Sequence, residues 1–358
     1  MRRIVELLAE EAASTAGTKV IDINTSDLLS GILVQFKGRN TDTTPTDHPA
    51  AMVSKIELVD GSEVLYSLSG KEIQALNYYE GALTEPLAYC YINDVDAVAI
   101  FRLNFGRHLW DKALAVNPAR HVNLQLKITH NKAAGGAAPD AGLLSVFAMV
   151  MDVTDASPTG FLMAKEVQSY ALVSSAHEYV SLPVDYAYRR LMILSRFADK
   201  QPWEQYNRIK LSVDNDKQVL INNMKTSDLL KVLAMGAPYT EAIMGNGSGS
   251  AIVNFVTPCY GTYISVSSLA SALASVLVLQ SYGGSVSITS DNDEYFQALV
   301  RGMAPHGAIE LPFGVASDPA TWLDTSKMAS LKADITAGAS VGSSSTCEIV
   351  VQQLRTYK

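Results

Sequence analysis

Apolar and polar residues alternate along much of this chain with the two-residue period of half-buried strands, not the 3.6-residue period of helices. The clearest runs come in pairs, one in each half. Ser54–Tyr66 reads SKIELVDGSEVLY and Asn207–Ile221 reads NRIKLSVDNDKQVLI. In both, an alternating strand runs into a turn (Asp60-Gly61, then Asp214-Asn215-Asp216) and a second strand returns. Asp-Gly and Asn tolerate the positive φ that tight hairpins need. A short helical pattern follows each hairpin, over Lys71–Leu76 and Ser227–Leu233.

Two more pairs keep the same order. FRLNFG (Phe101–Gly106) matches IELPFG (Ile309–Gly314), each a strand with alternate apolar positions ending in Phe-Gly. Ala115–Thr129 matches Trp322–Thr336, with Leu124, Leu126 and Ile128 predicted to face inward like Leu331, Ala333 and Ile335. A loop rich in Gly, Ala and Ser follows in each half (132–142 and 338–345), then a final strand, Leu143–Met151 and Cys347–Leu354. Three motifs and a loop in one order indicate an internal duplication. Short strands punctuated by turns, with few helices, place the chain in the all-β class. We expect two tandem jelly-roll β-sandwiches with short helices and a long insertion in the second. The expected limits are an N-terminal arm or helix over 1–18, a first jelly roll over 19–155, a linker over 156–164 and a second jelly roll over 165–358, with the insertion at about 234–308.

Two segments depart from the strand period. In MRRIVELLAEEAAS, Ile4, Leu8 and Ala12 are spaced for one face of a short amphipathic helix, with Val5 alongside. Glu6, Glu10 and Glu11 interrupt the apolar run that a signal peptide needs, and disfavour anionic lipid. Tyr263–Gln280 is apolar but holds several serines and has no charged flanks. It reads as a buried helix or strand–helix segment, not a transmembrane span.

Composition narrows the function. The chain of 358 residues is 48% hydrophobic and 18% charged, against about 25% charged in an ordinary globular chain. Such a surface suits burial in an assembly. The net charge is −8 and no basic stripe occurs, so direct nucleic-acid binding is not expected. Cys90, Cys259 and Cys347 are odd in number and widely spaced, as for free thiols in a reducing compartment.

Catalytic signatures are missing. His48, His108, His121, His130, His177 and His306 show no metal-binding spacing and read as separate surface or strand-edge groups. GNGSGS (Gly245–Ser250) lacks the Gly-Lys-Ser/Thr ending of a phosphate loop and reads as a flexible loop. Asp214-Asn215-Asp216 and Asp291-Asn292-Asp293-Glu294 read as solvated turns, not calcium loops. Trp110, Trp203 and Trp322 read as core or interface aromatics rather than sugar platforms. With no nucleophile motif either, no catalytic, metal or cofactor-binding residue is expected, and the chain reads as a non-enzyme.

The motifs SKIELVDG, FRLNFG and NLQLKITHN in the first copy, and NRIKLSVDN, IELPFG and SLKADIT in the second, resemble those of double jelly-roll major capsid proteins. These build the shells of tailless icosahedral viruses, many with an internal membrane, in a lineage related to adenovirus hexon. The resemblance covers Lys19–Lys358 and rests on structural patterns, so it carries over no functional residue. It implies homotrimeric, pseudo-hexameric capsomers assembled in host cytoplasm and located in the virion. The partners it implies are further copies of the chain, neighbouring capsomers, vertex or minor capsid proteins and an internal membrane. Arg2 and Arg3 would lie on the inner face, near membrane or neighbouring capsomers, and the insertion would form an outer tower or an intersubunit contact. Two alternatives stay open: a two-jelly-roll glycan-active enzyme, and a carbohydrate-binding or spike protein. Exposed Trp or Tyr on the insertion would favour the latter.

Overall fold

A computed structural model describes residues 1–154, 156–233, 237–246, 252–268, 276–290 and 295–357. The first half contains β1 (Arg2–Ala12), β2 (Gly17–Asp22), β3 (Leu28–Arg39), β4 (Val53–Asp60), β5 (Glu63–Leu68), helix α1 (Gly70–Tyr79), β6 (Tyr89–Tyr91), β7 (Asp96–Asn104), β8 (Leu124–His130) and β9 (Ala141–Met151). Eight of these strands form two layers, ordered β1-β9-β3-β7 and β2-β8-β4-β5. The second half begins with β10 (Gly160–Ala171), β11 (His177–Leu182), β12 (Ala187–Leu194), α2 (Pro202–Gln205), β13 (Tyr206–Val213), β14 (Gln218–Lys225) and α3 (Thr226–Leu233). Six strands follow within the insertion: β15 (Tyr239–Asn246), β16 (Ile252–Phe255), β17 (Pro258–Ser268), β18 (Val276–Tyr282), β19 (Ser285–Ser290) and β20 (Tyr295–Pro305). The unit closes with β21 (Ala308–Pro312), β22 (Leu331–Ala337) and β23 (Thr346–Thr356), in layers β10-β23-β12-β21 and β11-β22-β13-β14.

The two units therefore match strand for strand, and their ladders correspond at matched positions, with bulges placed differently, as between Ile221 and Met224 of β14. The ladder Val5–Ala148–Ile32–Leu103 of the first unit corresponds to Lys165–Val351–Leu191–Leu311 of the second. In the other layer, Leu68–Ile56–Ile128–Lys19 corresponds to Met224–Ile209–Ile335–Glu178. Alternation has its expected result: Leu124, Leu126, Ile128, Leu331, Ala333 and Ile335 are all buried. Asp214, Asn215 and Asp216 adopt φ values of 52, 54 and 69°, the left-handed conformation their side chains tolerate.

Three expectations are corrected. Arg2–Ala12 is a strand, not a helix: β1 pairs along β9 from Arg2↔Met151 to Ala12↔Leu143 and forms part of the first sandwich. The edge of β9 offers a row of backbone groups needing partners, which outweighs the helical spacing of a weakly amphipathic segment. The expected linker over 156–164 overlaps β10, which starts at Gly160 and pairs with β23. Tyr263–Gln280 contains strands, β17 and the start of β18. Exposed Tyr263, Ser265 and Ser267 alternate with half-buried Ile264 and Val266, so this part of β17 is a surface strand; 269–275 lie outside the described residues.

The insertion builds a third β unit, with layers β17-β20-β15-β6 and β16-β19-β18. It is shared between the halves, because β6 of the first pairs in parallel with β15. Tyr89 and Tyr91 on β6 are buried in its core with Ile243, Val256, Ile288 and Phe296.

Candidate assembly surfaces

The two sandwiches are locked side by side. β5 meets β10 in parallel at Ser67–Lys165, making one continuous sheet across both units. Leu65, Tyr66, Leu76 and Phe105 of the first unit share a buried cluster with Phe161, Met163, Met192, Leu194 and Val350 of the second. The helix at this seam is fixed by a capping box: the Ser69 hydroxyl accepts the Glu72 N–H at 3.3 Å, and the Glu72 carboxyl accepts the Ser69 N–H at 2.6 Å. Burial, and then the Glu348 carboxylate, pushes Glu72 well above the carboxylate range. At the other end of α1, Glu80 accepts from Gln352 Nε2 at 2.7 Å and from Asn104 Nδ2 at 2.6 Å, and lies 3.5 Å from Arg189. These buried polar contacts fix the docking angle, since leaving either partner unpaired would cost several kcal/mol, on the order of 3–5.

A second buried cluster joins all three units. Asp47 pairs with Arg196 at 2.8 Å and Lys71 at 2.5 Å. Burial opposes its charge, but Arg196 and Lys71 outweigh that and hold Asp47 below the usual carboxylate range. Arg196 also donates to the Gly284 carbonyl at 2.8 Å and lies over the Phe255 ring, tying the second unit to the third. His48 Nδ1 accepts the Ala50 N–H at 3.1 Å, so Nε2 carries the proton and faces Thr257 Oγ1 at 3.2 Å. His306 Nε2 bonds Gln74 Oε1 at 2.8 Å, and Gln74 donates onward to Tyr89 Oη at 2.7 Å. Burial holds both histidines well below their ordinary pKa, aided by Arg196 at His48 and by the adjacent His48 and then Arg196 at His306. Glu241 accepts the Thr257 N–H at 2.8 Å on one oxygen while the other is buried without a partner; burial pushes it up to about 8.

The histidines correct the sequence reading. His48 and His306 are neither separate nor exposed: their rings lie edge to face, 4.8 Å apart and fully buried. Spacing gave no signal, because the two residues come from different units. The tryptophans pack as expected: Trp322 is buried with Leu114 and Leu162, and Trp203 meets Tyr260 at 5.4 Å. All three cysteines are free and buried. Gly245 and Asn246 of the expected GNGSGS loop belong to the end of strand β15 instead, while 247–250 and 291–294 lie outside the described residues. Arg2 and Arg3 sit at the start of β1: Arg2 lies 6.0 Å from the Trp110 ring centre, and Arg3 pairs with Asp27. Among the described residues, no helix is long and apolar enough to cross a membrane.

Several apolar surfaces remain open. β1 is exposed over most of its length, including Ile4 at 71%. Beside it, Leu33 and Phe147 are half-buried on the outer face of the β1-β9-β3-β7 layer. β14 is largely exposed as well, with α3 presenting Val232. A groove of about 490 Å³ lies here, lined by Leu220, Ile221, Leu229, Leu233, Phe313 and Trp322. On the third unit, Tyr263 and Tyr295 are exposed.

No family model and no curated protein matches the sequence. Solved structures do match in shape. The chain is similar to the major capsid protein P2 of bacteriophage PM2, with TM-score 0.57 and 10% identity over 100% of this chain and 98% of that one. It is similar to the STIV major capsid protein, with TM-score 0.58 and 14% identity over 98% and 96%. It also matches the PBCV-1 virus capsid, with TM-score 0.59 and 12% identity over 99% and 93%. The chain has the double jelly-roll fold. Its two jelly rolls are the matched units described above, and the likeness extends over nearly the whole chain, insertion included.

Proposed function

We propose that this chain is the major capsid protein of an icosahedral virus and that three copies form a pseudo-hexameric capsomer. The observation that supports this best is the strand-for-strand match of two sandwiches locked side by side. Three such chains supply six similar walls, and a closed ring of similar walls tiles a shell with few kinds of contact. The protein is then structural, not catalytic, and works in the virion, in contact with neighbouring capsomers and minor capsid proteins. Arg2 is the better candidate for contact with an inner membrane or neighbouring capsomer, since Arg3 is already paired with Asp27. The test is sedimentation of the purified protein, with negative-stain imaging. A six-sided particle of about 115 kDa, three chains of 38.5 kDa, is expected; a monomer at high concentration would overturn the reading.

A second reading has one observation in its favour. Tyr263 and Tyr295 stand exposed on adjacent strands of the third unit, and exposed tyrosines are ready stacking surfaces for sugar rings. Binding to a glycan array that is lost in Tyr263→Ala and Tyr295→Ala would support a carbohydrate-binding role for that unit.

A further inference from the structure

The insertion leaves the second unit after α3 and returns to it between β20 and β21. His306 sits at that return, with φ of 51°, and its N–H donates to the Thr257 carbonyl at 2.7 Å. Its ring meets Gln74 of α1 on one side and the His48 ring on the other. His48 in turn caps the turn Pro49–Met52 of the first unit and faces Thr257 of the third. The two histidines therefore hold the third unit against the first at the point where the chain crosses back.

The contacts of both rings require the neutral form. A proton on His48 Nδ1 would point at the Ala50 N–H that this nitrogen now accepts, and a proton on His306 Nδ1 would be buried without a partner. Facing the pair are Asp47 of the same loop, Lys71 of α1, Arg196 after β12, Tyr89 of β6, Cys259 of β17 and, through Thr257, Glu241 of β15. Glu241 holds its proton, so at neutral pH the Asp47 carboxylate stands against the two cations Lys71 and Arg196. Two imidazolium rings 4.8 Å apart would add two more buried cations to that cluster.

We propose that the His48–His306 pair is an acid-operated latch on the third unit: the neutral pair holds the 255–259 loop and the return crossing against the first unit, and a proton on each ring releases them. The latch is independent of the trimeric reading. The third unit stays shut near neutral pH and loosens in acid, uncovering Thr257 and Cys259. Each histidine favours closure above about pH 6.5 and loses that contribution as pH falls below it. Glu241 acts in the opposite sense, favouring closure while it keeps its proton and losing that contribution as pH rises through about 8. The two effects offset between pH 7.5 and 5.5, where opening changes only about 1.5-fold; the histidines then dominate, and opening rises about 15-fold from pH 5.5 to 4.5.

Cys259 reports this opening in the full chain. It is buried, packed against Gly284, with its Sγ 3.7 Å from the Thr257 carbonyl. A pyridyl disulfide labels thiols in acid as well as at neutral pH. Labelling at pH 7.5, 5.5 and 4.5 is read for each cysteine by peptide mass spectrometry, relative to its rate in the urea-unfolded chain at the same pH. Cys259 is expected to follow the changes above, while Cys347, in the core of the second sandwich, stays protected. Glu241→Gln removes the opposing group, and Cys259 opening should then rise about 100-fold between pH 7.5 and 5.5. His48→Asn/His306→Asn removes the latch: Asn at 48 still caps the Ala50 N–H, Asn at 306 suits the left-handed backbone, and opening should fall about 70-fold over the same interval. A folded double variant that opens in acid like the natural chain overturns the latch. So does a Glu241→Gln protein whose Cys259 labelling stays flat between pH 7.5 and 5.5, a result that decides the matter even where the double variant does not fold. Cys347 labelling that rises in step with Cys259 overturns it too, because acid would then be unfolding the whole chain.

Discussion

Replacing Glu241 by Gln isolates the energetics of the buried polar junction. Glu241 sits in the core of the third unit with one oxygen on the Thr257 N–H and the other without a partner. Arg196, the nearby cation, is committed to Asp47 and the Gly284 carbonyl. The folded protein therefore holds Glu241 protonated, its pKa raised from 4.5 to about 8. A raised carboxyl contributes fully below the unfolded pKa, and its contribution is lost as pH rises through the folded pKa. Relative to a side chain that is neutral throughout, keeping the proton costs about 1.4 kcal/mol at pH 5.5 and about 3.9 kcal/mol at pH 7.5. Gln keeps the acceptor and never titrates. Glu241→Gln should thus gain about 2.5 kcal/mol on the natural chain between pH 5.5 and 7.5, roughly 5 °C in melting temperature at about 2 °C per kcal/mol. Urea and thermal melts of both proteins at pH 5.5, 6.5 and 7.5 read this directly. A gap that does not change with pH, or one that moves against the variant as pH rises, would mean Glu241 is ionised and would refute the reasoning.

The histidines give the opposite sign. His306 is held neutral, so its stabilisation is present above about pH 6.5 and lost as pH falls below it. His306→Asn keeps a donor for Gln74 and suits the φ of 51° at that position. The variant should regain about 1.4 kcal/mol on the natural chain between pH 7.5 and 5.5, measured by the same melts. Ser69→Ala removes half of the α1 capping box and should cost about 1 kcal/mol. Amide hydrogen exchange is expected to show the added opening in α1 first; unchanged protection there would count against the cap.

The alternating pattern alone determined a good deal. It set which residues of β4, β8, β13 and β22 face inward, where both hairpins turn, and that the chain is a duplication. It did so because a period of two forces successive side chains to opposite faces, and a wrong register would bury Lys55 or Lys127 in place of Ile56 or Ile128. Local sequence could not decide Arg2–Ala12. That segment buries little on any face, so its own pattern carries almost no energy, and the unpaired edge of β9 chose the strand. Nor could spacing reveal His48 against His306, or β6 completing the sheet of the insertion, since each joins residues far apart in the chain. Folding decided those contacts, because backbone groups and buried charges must find partners wherever the packed units bring them together.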